Sequence, residues 1–373
     1  MTSPVLFRTL ESVNDKKIAI ATLNSEKSLN ALSLEMVDLL YSQLVAWKDD
    51  SDIALVILEG AGEKAFCAGG DVVQLYKAAK QAGPGNIAKD VETFFAREYR
   101  LDHLIHTFQK PFLLWGHGIV MGGGLGLLAG ASHRVVTEKS RIAMPEITIG
   151  LYPDVGGSHF LNNMPNGCGL FLGLTGASIN AADAKFVKLA DHFVSSNSKV
   201  AVVEELLLVK WGDTNILNHQ KLTDVLKGFE DKDKSIMPEG NIAKFEDFMM
   251  DLDKCESANT AIVNILDHKS EDRWFNKAQA SLAHGSPLSA KLIHKQIKEG
   301  KGLSLAAAFK MELGLSVKCA AEGDFPEGVR ALLIDKDNSP QWKFATIHDV
   351  PDTLVNSFFD EIWASESHPL KML

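Results

Sequence analysis

The chain has 373 residues, 46% of them hydrophobic and 23% charged, a balance typical of globular proteins and not of disordered or membrane-embedded ones. A formal net charge of −10 and a pI near 5.7 exclude a general nucleic-acid binder, whose phosphate contacts call for a basic surface. Four scattered cysteines, Cys67, Cys168, Cys255 and Cys319, have neither the density of a disulfide scaffold nor metal-type spacing, so a reducing compartment and no bound metal are expected.

No apolar run is long enough to span a bilayer. The opening "MTSPVLFRTLESVNDKK" lacks the basic-then-apolar order of a secretory signal, and its acidic residues suit a mitochondrial presequence poorly. A cytoplasmic location is the default expectation.

In chain order, "KIAIATLN" (17–24) and "IALVILEG" (53–60) are short runs rich in isoleucine and other apolar residues that read as buried strands. Between them Ser33 is placed to cap a helix over 34–47, where apolar residues recur every three or four positions. A glycine turn, "CAGGD" (67–71), then leads into a helix. The plan repeats with the strand "PFLLWGHGIV" (111–120), the turn "MGGG" (121–124) and the helical "LGLLAGA" (125–131). "HRVVTE" (133–138) and "RIAMPE" (141–146) read as further strands. Strands alternating with helices at this spacing predict an α/β core with largely parallel pairing.

Past about residue 195 strand-like runs disappear and charged helical segments take over, with "EDKDKSIMPEGN" (230–241) reading as an exposed connection. Leu305, Phe309, Leu313 and Val317, four apart, form a helical apolar stripe expected to pack into a core. The expected division is 1–200 and 201–373.

The chemistry concentrates at glycines and carboxylates. "GLGLLA" (124–129) meets the dinucleotide pattern, with Glu146 about twenty residues on, but it stands more than a hundred residues into the chain and not on the first strand–helix unit. The two glycine turns also admit a joint reading. A glycine run entering a helix exposes backbone N–H groups at the positive end of the helix dipole. Two such turns can donate to one oxygen gaining negative charge, an arrangement often worth a few kcal/mol per donor in a transition state. Tight turns and close helix–strand packing are the structural alternative for either turn alone. In "MPEITIGLYPDVGG" (144–157), Glu146 and Asp154 lie among apolar residues, and the flanking Met144, Pro145 and Ile147 predict a partly desolvated Glu146 with a raised pKa.

"EKAFCAGGDV" (63–72), "HGIVMGGGLGL" (117–127) and "AMPEITIGLYPDVGG" (143–157), in that order, resemble the crotonase (enoyl-CoA hydratase/isomerase) superfamily, as does the early "NSEKSLNALSLEM" (24–36). "PDVGG" (153–157), "FFAREYRLDHLI" (94–105), "SPLSAKL" (286–292) and "GDFPEGVRALLIDKDNSPQW" (323–342) resemble its branch that hydrolyses 3-hydroxyisobutyryl-CoA.

The resemblance implies a spiral of strand–strand–helix repeats. It also implies a C-terminal helical region that covers the site and, in the family, often builds trimers or hexamers. The backbone N–H groups of Gly70 and Gly123 would form the oxyanion hole. Glu146 would be the catalytic glutamate, Asp154 the hydrolase branch's aspartate and Glu98 a substrate contact. Backbone carbonyls around Ala65 and Ala68 would receive the adenine of coenzyme A, which is part of the substrate, so no separate cofactor is implied.

One position departs from the pattern: hydratases of the superfamily carry a second glutamate two residues beyond the glycine run, where this chain has Gly126. The implied reaction is hydrolysis of a short branched 3-hydroxyacyl-CoA thioester in valine breakdown. A hydratase or isomerase, or a non-catalytic acyl-CoA-binding subunit, are the alternatives. Neither nucleic acid nor membrane is an expected partner. Glu146 either attacks the thioester carbon or activates water; the residues leave both routes open. His117 reads as a packed histidine, Cys67 lacks the histidine partner of a thiol nucleophile, and Lys295, Lys298 and Lys301 are either a solvated helix face or contacts for coenzyme A phosphates.

Overall fold

The computed structural model describes residues 3–373. Two compact units share the chain and neither is contiguous: the first holds the residues up to Gly70 with 101–142 and 179–243, the second 71–100, 143–178 and 244–373.

The first unit carries the sheets. Its strands are β1 (Val5–Glu11), β2 (Lys17–Leu23), β3 (Ile53–Gly60), β4 (Ala65–Cys67), β5 (Phe112–Gly116), β6 (Ile119–Met121), β7 (His133–Val136), β8 (Arg141–Ala143, whose last residue is counted with the second unit) and β9 (His192–Phe193). Six form one sheet in the order β1-β2-β3-β5-β7-β9, and β4-β6-β8 form a second. Only β1 pairs antiparallel in the larger sheet. Every residue of β3 is buried, as a central parallel strand requires, whereas edge strand β1 is half exposed. From β3 onward each pair of successive strands places its first member in the large sheet and its second in the small one. That winding is the expected spiral.

Ser33 caps helix α1 (Leu34–Asp49), its hydroxyl accepting from the Met36 N–H at 3.2 Å. Asp71 caps α2 (Val72–Ala82) in the same manner. Helix α3 spans Lys89–His106 and α4 spans Gly123–Gly130.

Three readings of the sequence need correction. The run 111–120 is two strands, not one, because Gly118 turns the chain at φ +58°, where a side chain would stand 2.3 Å from the Lys64 carbonyl oxygen. The run 141–146 stops being a strand at Ala143, and Glu146 opens a 3-10 turn, Glu146–Ile149. Nor does a single cut near 200 separate the units. Val202 and Leu206 of the helix Lys199–Leu208, with Leu222 and Leu226 of the helix Asn215–Asp233, share a core with Ile18, Ile57 and Trp115 of the large sheet. The apolar sides of these helices cover the sheet, so the chain through 243 belongs with the strands. The strand β1 had no expectation attached, and part of the "exposed connection" at 230–241 is the end of the helix Asn215–Asp233.

The second unit is helical. Its apolar centre includes the ring cluster of Phe171, Phe245 and Phe275, with Phe245 and Phe275 4.7 Å apart. Ser286 caps the helix Pro287–Gly300, and its hydroxyl also donates to Asp324 at 2.6 Å. Both motif residues therefore have structural work. In the helix Leu305–Glu322 the stripe residues Phe309, Leu313 and Val317 are buried as expected and Leu305 only half-buried, but Glu312 and Ser316 are buried too.

Candidate active site

The glycine turns leave the C-terminal ends of neighbouring parallel strands. β4 and β6 pair through Ala65 with Ile119 and Cys67 with Val120, so Ala68–Gly70 and Gly122–Gly123 emerge side by side. A methyl group on Gly69 would lie 3.6 Å from the Met121 carbonyl oxygen. Gly123 opens α4, where N–H groups have no carbonyl one turn back to accept them. Gly69 is held by donation from the Leu32 N–H to its carbonyl at 2.8 Å. The Ala65 carbonyl accepts from the Asn30 side chain at 3.0 Å, which leaves one lone pair of that oxygen, and the half-buried Ala68 donates its N–H to Leu29. The buried residues of α4, Gly123 to Leu128, include no titratable group.

The second unit brings Glu98, Glu146 and Asp154 together from α3, the 3-10 turn and the loop that follows it. They are 2%, 5% and 4% exposed. Oε1 of Glu98 and Oε2 of Glu146 have no hydrogen-bond partner. Burial drives the Glu146 carboxyl well above the usual carboxylate range, and the charges of Asp154 and Glu98 add to it. Glu98 moves the same way, through burial and then Asp154. Burial pushes Asp154 up to about 6, with donation from Tyr99 to its ionised form working in the other direction. Asp154 raises both Glu146 and Glu98, and Glu98 raises Glu146, so the cluster resists carrying more than one negative charge.

Asp154 sits at the start of a strained turn. Val155, β-branched and buried, has φ +52°, a conformation that costs of order 1–3 kcal/mol and persists only when its surroundings enforce it. Glu312 enforces it, accepting from the Gly156 and Ser158 N–H groups at 2.8 and 2.7 Å. Gln296 adds bonds to the Pro153 carbonyl and the Ser158 hydroxyl. Tyr99, Ser316 and Tyr152 continue from Asp154 as a chain of buried hydroxyls.

Sequence reading missed all of these supports. Glu312 and Ser316, four apart beside the apolar stripe, were the available signal: a polar pair on a buried face of a helix demands buried partners. Glu98 is buried, so its place on a charged helix gave no hint of its environment.

Burial raises the pKa of Glu312 to about 8 against the opposing N–H bonds. A carboxyl whose pKa is raised on folding binds its proton more tightly in the folded state, so its contribution to stability is complete below 4.5 and is lost as pH rises toward 8. Burial lowers His133 and His294 to about 4, which favours folding as pH rises over part of the same range. The difference between wild type and Glu312→Gln isolates the carboxyl. Relative to wild type, the variant is expected to gain stability steadily from about pH 4.5 to 8. Urea midpoints across that range check this, and a constant difference would refute it.

The other candidates resolve simply. His117 is packed, with Nε2 2.9 Å from the Gly62 carbonyl, and burial lowers its pKa. The Cys67 thiol is buried on the Gly69 carbonyl. Lys295 pairs with Glu299, and Lys298 donates to the Glu256 carbonyl. Lys298 and Lys301 border a cavity of about 240 Å³ that includes none of the three carboxylates.

With paired glycine turns and a buried carboxylate cluster in place, comparison with known proteins is direct. Residues 18–359 match the enoyl-CoA hydratase/isomerase family, and the chain belongs to it. Among its relatives, the zebrafish (Danio rerio) protein described as mitochondrial 3-hydroxyisobutyryl-CoA hydrolase is 40% identical over 93% of this chain and 88% of its own length. The human protein of the same description is 38% identical over 93% and 87%. Among solved structures, a Mycobacterium thermoresistibile carnitinyl-CoA dehydratase matches with a TM-score of 0.83 at 29% identity, covering 97% of both chains. A Rhodobacter sphaeroides enoyl-CoA hydratase matches at 0.80 and 29%, covering 96% of this chain and 98% of that one. The fold is thus the crotonase fold. The relatives' mitochondrial descriptions leave the cytoplasmic expectation without support. Among the described residues no helix is long and apolar enough to cross a membrane.

Proposed function

We infer that this chain is an acyl-CoA thioester hydrolase acting on 3-hydroxyisobutyryl-CoA, releasing 3-hydroxyisobutyrate and coenzyme A. The observation that carries the reading is Glu146: a buried carboxyl with one unpartnered oxygen and a second buried carboxyl, Asp154, acting on it. In the reaction the thioester carbonyl oxygen takes the Gly70 and Gly123 N–H groups as it gains charge. Glu146 either attacks the carbonyl carbon, forming an anhydride that water then opens, or removes a proton from the attacking water. In both routes the carbon–sulfur bond breaks and the coenzyme A thiolate is protonated. A single turnover in heavy-oxygen water bears on this: label in Glu146 requires direct attack with the anhydride opened at the glutamyl carbonyl, whereas label in the product alone fits water activation or an anhydride opened at the acyl carbonyl.

Asp154 and Glu98 serve the substrate's 3-hydroxyl and acyl group, and backbone carbonyls at Ala65 and Ala68 serve the adenine. A place in valine breakdown and assembly through the helical region as a trimer or hexamer belong to the same proposal.

Thiol release followed on 3-hydroxyisobutyryl-CoA, isobutyryl-CoA and crotonyl-CoA tests the reading. Fast release is expected from the hydroxylated thioester, with no loss of the crotonyl double-bond absorbance. Loss of that absorbance without thiol release would mean a hydratase working with Gly126 in place of a second carboxylate. Coenzyme A binding without turnover of any of the three would mean a binding subunit.

A further inference from the structure

Five groups of the second unit make an unbroken run of short contacts. Asp154 Oδ2 lies 2.7 Å from the Tyr99 hydroxyl, which lies 2.7 Å from the Ser316 hydroxyl. The Ser316 hydroxyl is 2.7 Å from the Tyr152 hydroxyl, and Tyr152 donates to the Glu312 backbone carbonyl at 2.6 Å. Tyr99, Tyr152, Ser316 and Glu312 are all fully buried, so water does not complete the run.

The protons can be counted. The run has four oxygen–oxygen links and each needs one hydrogen between its oxygens. Three hydroxyls supply three. A carbonyl only accepts, so the Tyr152 proton is committed to Glu312. The Ser316 proton must then fill the link to Tyr152, and the Tyr99 proton the link to Ser316. The remaining link, between Tyr99 and Asp154, is filled only by a proton on Asp154 itself. If Asp154 were ionised and took the Tyr99 proton, one link farther along would set two oxygens 2.7 Å apart with no hydrogen between them.

We propose that Tyr99, Ser316 and Tyr152 are positioning residues that hold Asp154 as a neutral acid at neutral pH and so reserve the cluster's negative charge for Glu146. Asp154 points its proton into the chain at Oδ2 and keeps Oδ1 as an uncharged acceptor for a hydroxyl group. Glu98, Glu146, Glu312, Tyr99, Tyr152 and Cys319 all feel the charge of Asp154, and all of them are acids. The burial that raises the Asp154 pKa acts in the same sense but reaches only about 6, so the proton count along the chain is what carries Asp154 past neutrality. This role rests on the thioesterase reading for its meaning in catalysis, but its test does not need turnover.

The chain makes a directional prediction. Tyr152→Phe removes the hydroxyl committed to the Glu312 carbonyl. Ser316 and Tyr99 can then both point toward an ionised Asp154 with every remaining link filled. Ser316→Ala, a smaller change, leaves Tyr99 free to donate to Asp154. Both variants are expected to lower the Asp154 midpoint by about one pH unit, the scale of a hydrogen bond to a charged group. Tyr99→Phe deletes the side-chain hydroxyl an ionised Asp154 would use, leaving only a backbone N–H, so its midpoint is expected to stay or rise. The readout is the infrared stretch of the protonated carboxyl in the ligand-free protein, assigned by its loss in Asp154→Asn and followed against pH.

A band present at neutral pH in wild type, with opposite responses at the two ends of the chain, supports the proposal. An Asp154 already ionised at neutral pH, or three variants moving it the same way, overturns it. Thiol release by wild type stands apart: its absence would count against the hydrolase reading while leaving the infrared result intact.

Discussion

Glu146→Gln is expected to lower kcat for thioester hydrolysis by at least about 10⁴-fold, the order seen when a nucleophile or its activating base is removed. The replacement is nearly isosteric, so a side chain 5% exposed leaves no hole and the 3-10 turn it opens keeps its backbone bonds. What is lost is chemistry. An amide neither attacks a thioester carbon nor takes a proton from water, and the oxygen without a partner in the resting site is the one such a step calls for. Coenzyme A binding, measured by thermal shift, is expected to persist, because the groups proposed to receive its adenine are backbone carbonyls. Retention of more than one hundredth of wild-type kcat would remove Glu146 from the mechanism.

Glu312→Ala is expected to cost about 4 kcal/mol of stability. Two buried N–H groups, of Gly156 and Ser158, lose their acceptor at about 1–3 kcal/mol each, and the truncated side chain leaves a void. The strain at Val155 is then unopposed and the turn is free to relax. A fall in Tm of about 8 °C is the corresponding observable. Because the turn begins at Asp154, kcat should fall as well. Glu312→Gln keeps one acceptor oxygen and should lose about half as much stability. An alanine variant within about 1 kcal/mol of wild type would show that Glu312 does not clamp the turn.

Much of this protein was open to reading from its residues, and the limits follow from distance along the chain. Strands at 17–23 and 53–60, the Ser33 cap and the buried stripe through Phe309 and Val317 were legible because burial period and capping act within a few residues. The glycine turns and the Glu146–Asp154 segment were legible because their motifs are local and ordered. The second strand of 111–120 was not separated from the first, because nothing in the apolar run itself reports where the chain changes sheets. That change follows from Gly118 meeting Lys64.

The sequence by itself determined the class of chain, most of its strands and helices, and which carboxylates and glycines stand as candidates for the chemistry, since all of these are stated by residue type and short spacing. Only the tertiary structure decided that Glu98 is buried, that the helices through 243 belong with the sheet, and that the Tyr99 hydroxyl lies between Asp154 and Ser316. Asp154 and Tyr99 stand 55 residues apart, and Tyr99 and Ser316 stand 217 apart. A proton shared between such residues depends on oxygen–oxygen distances of 2.7 Å, and folding alone sets them.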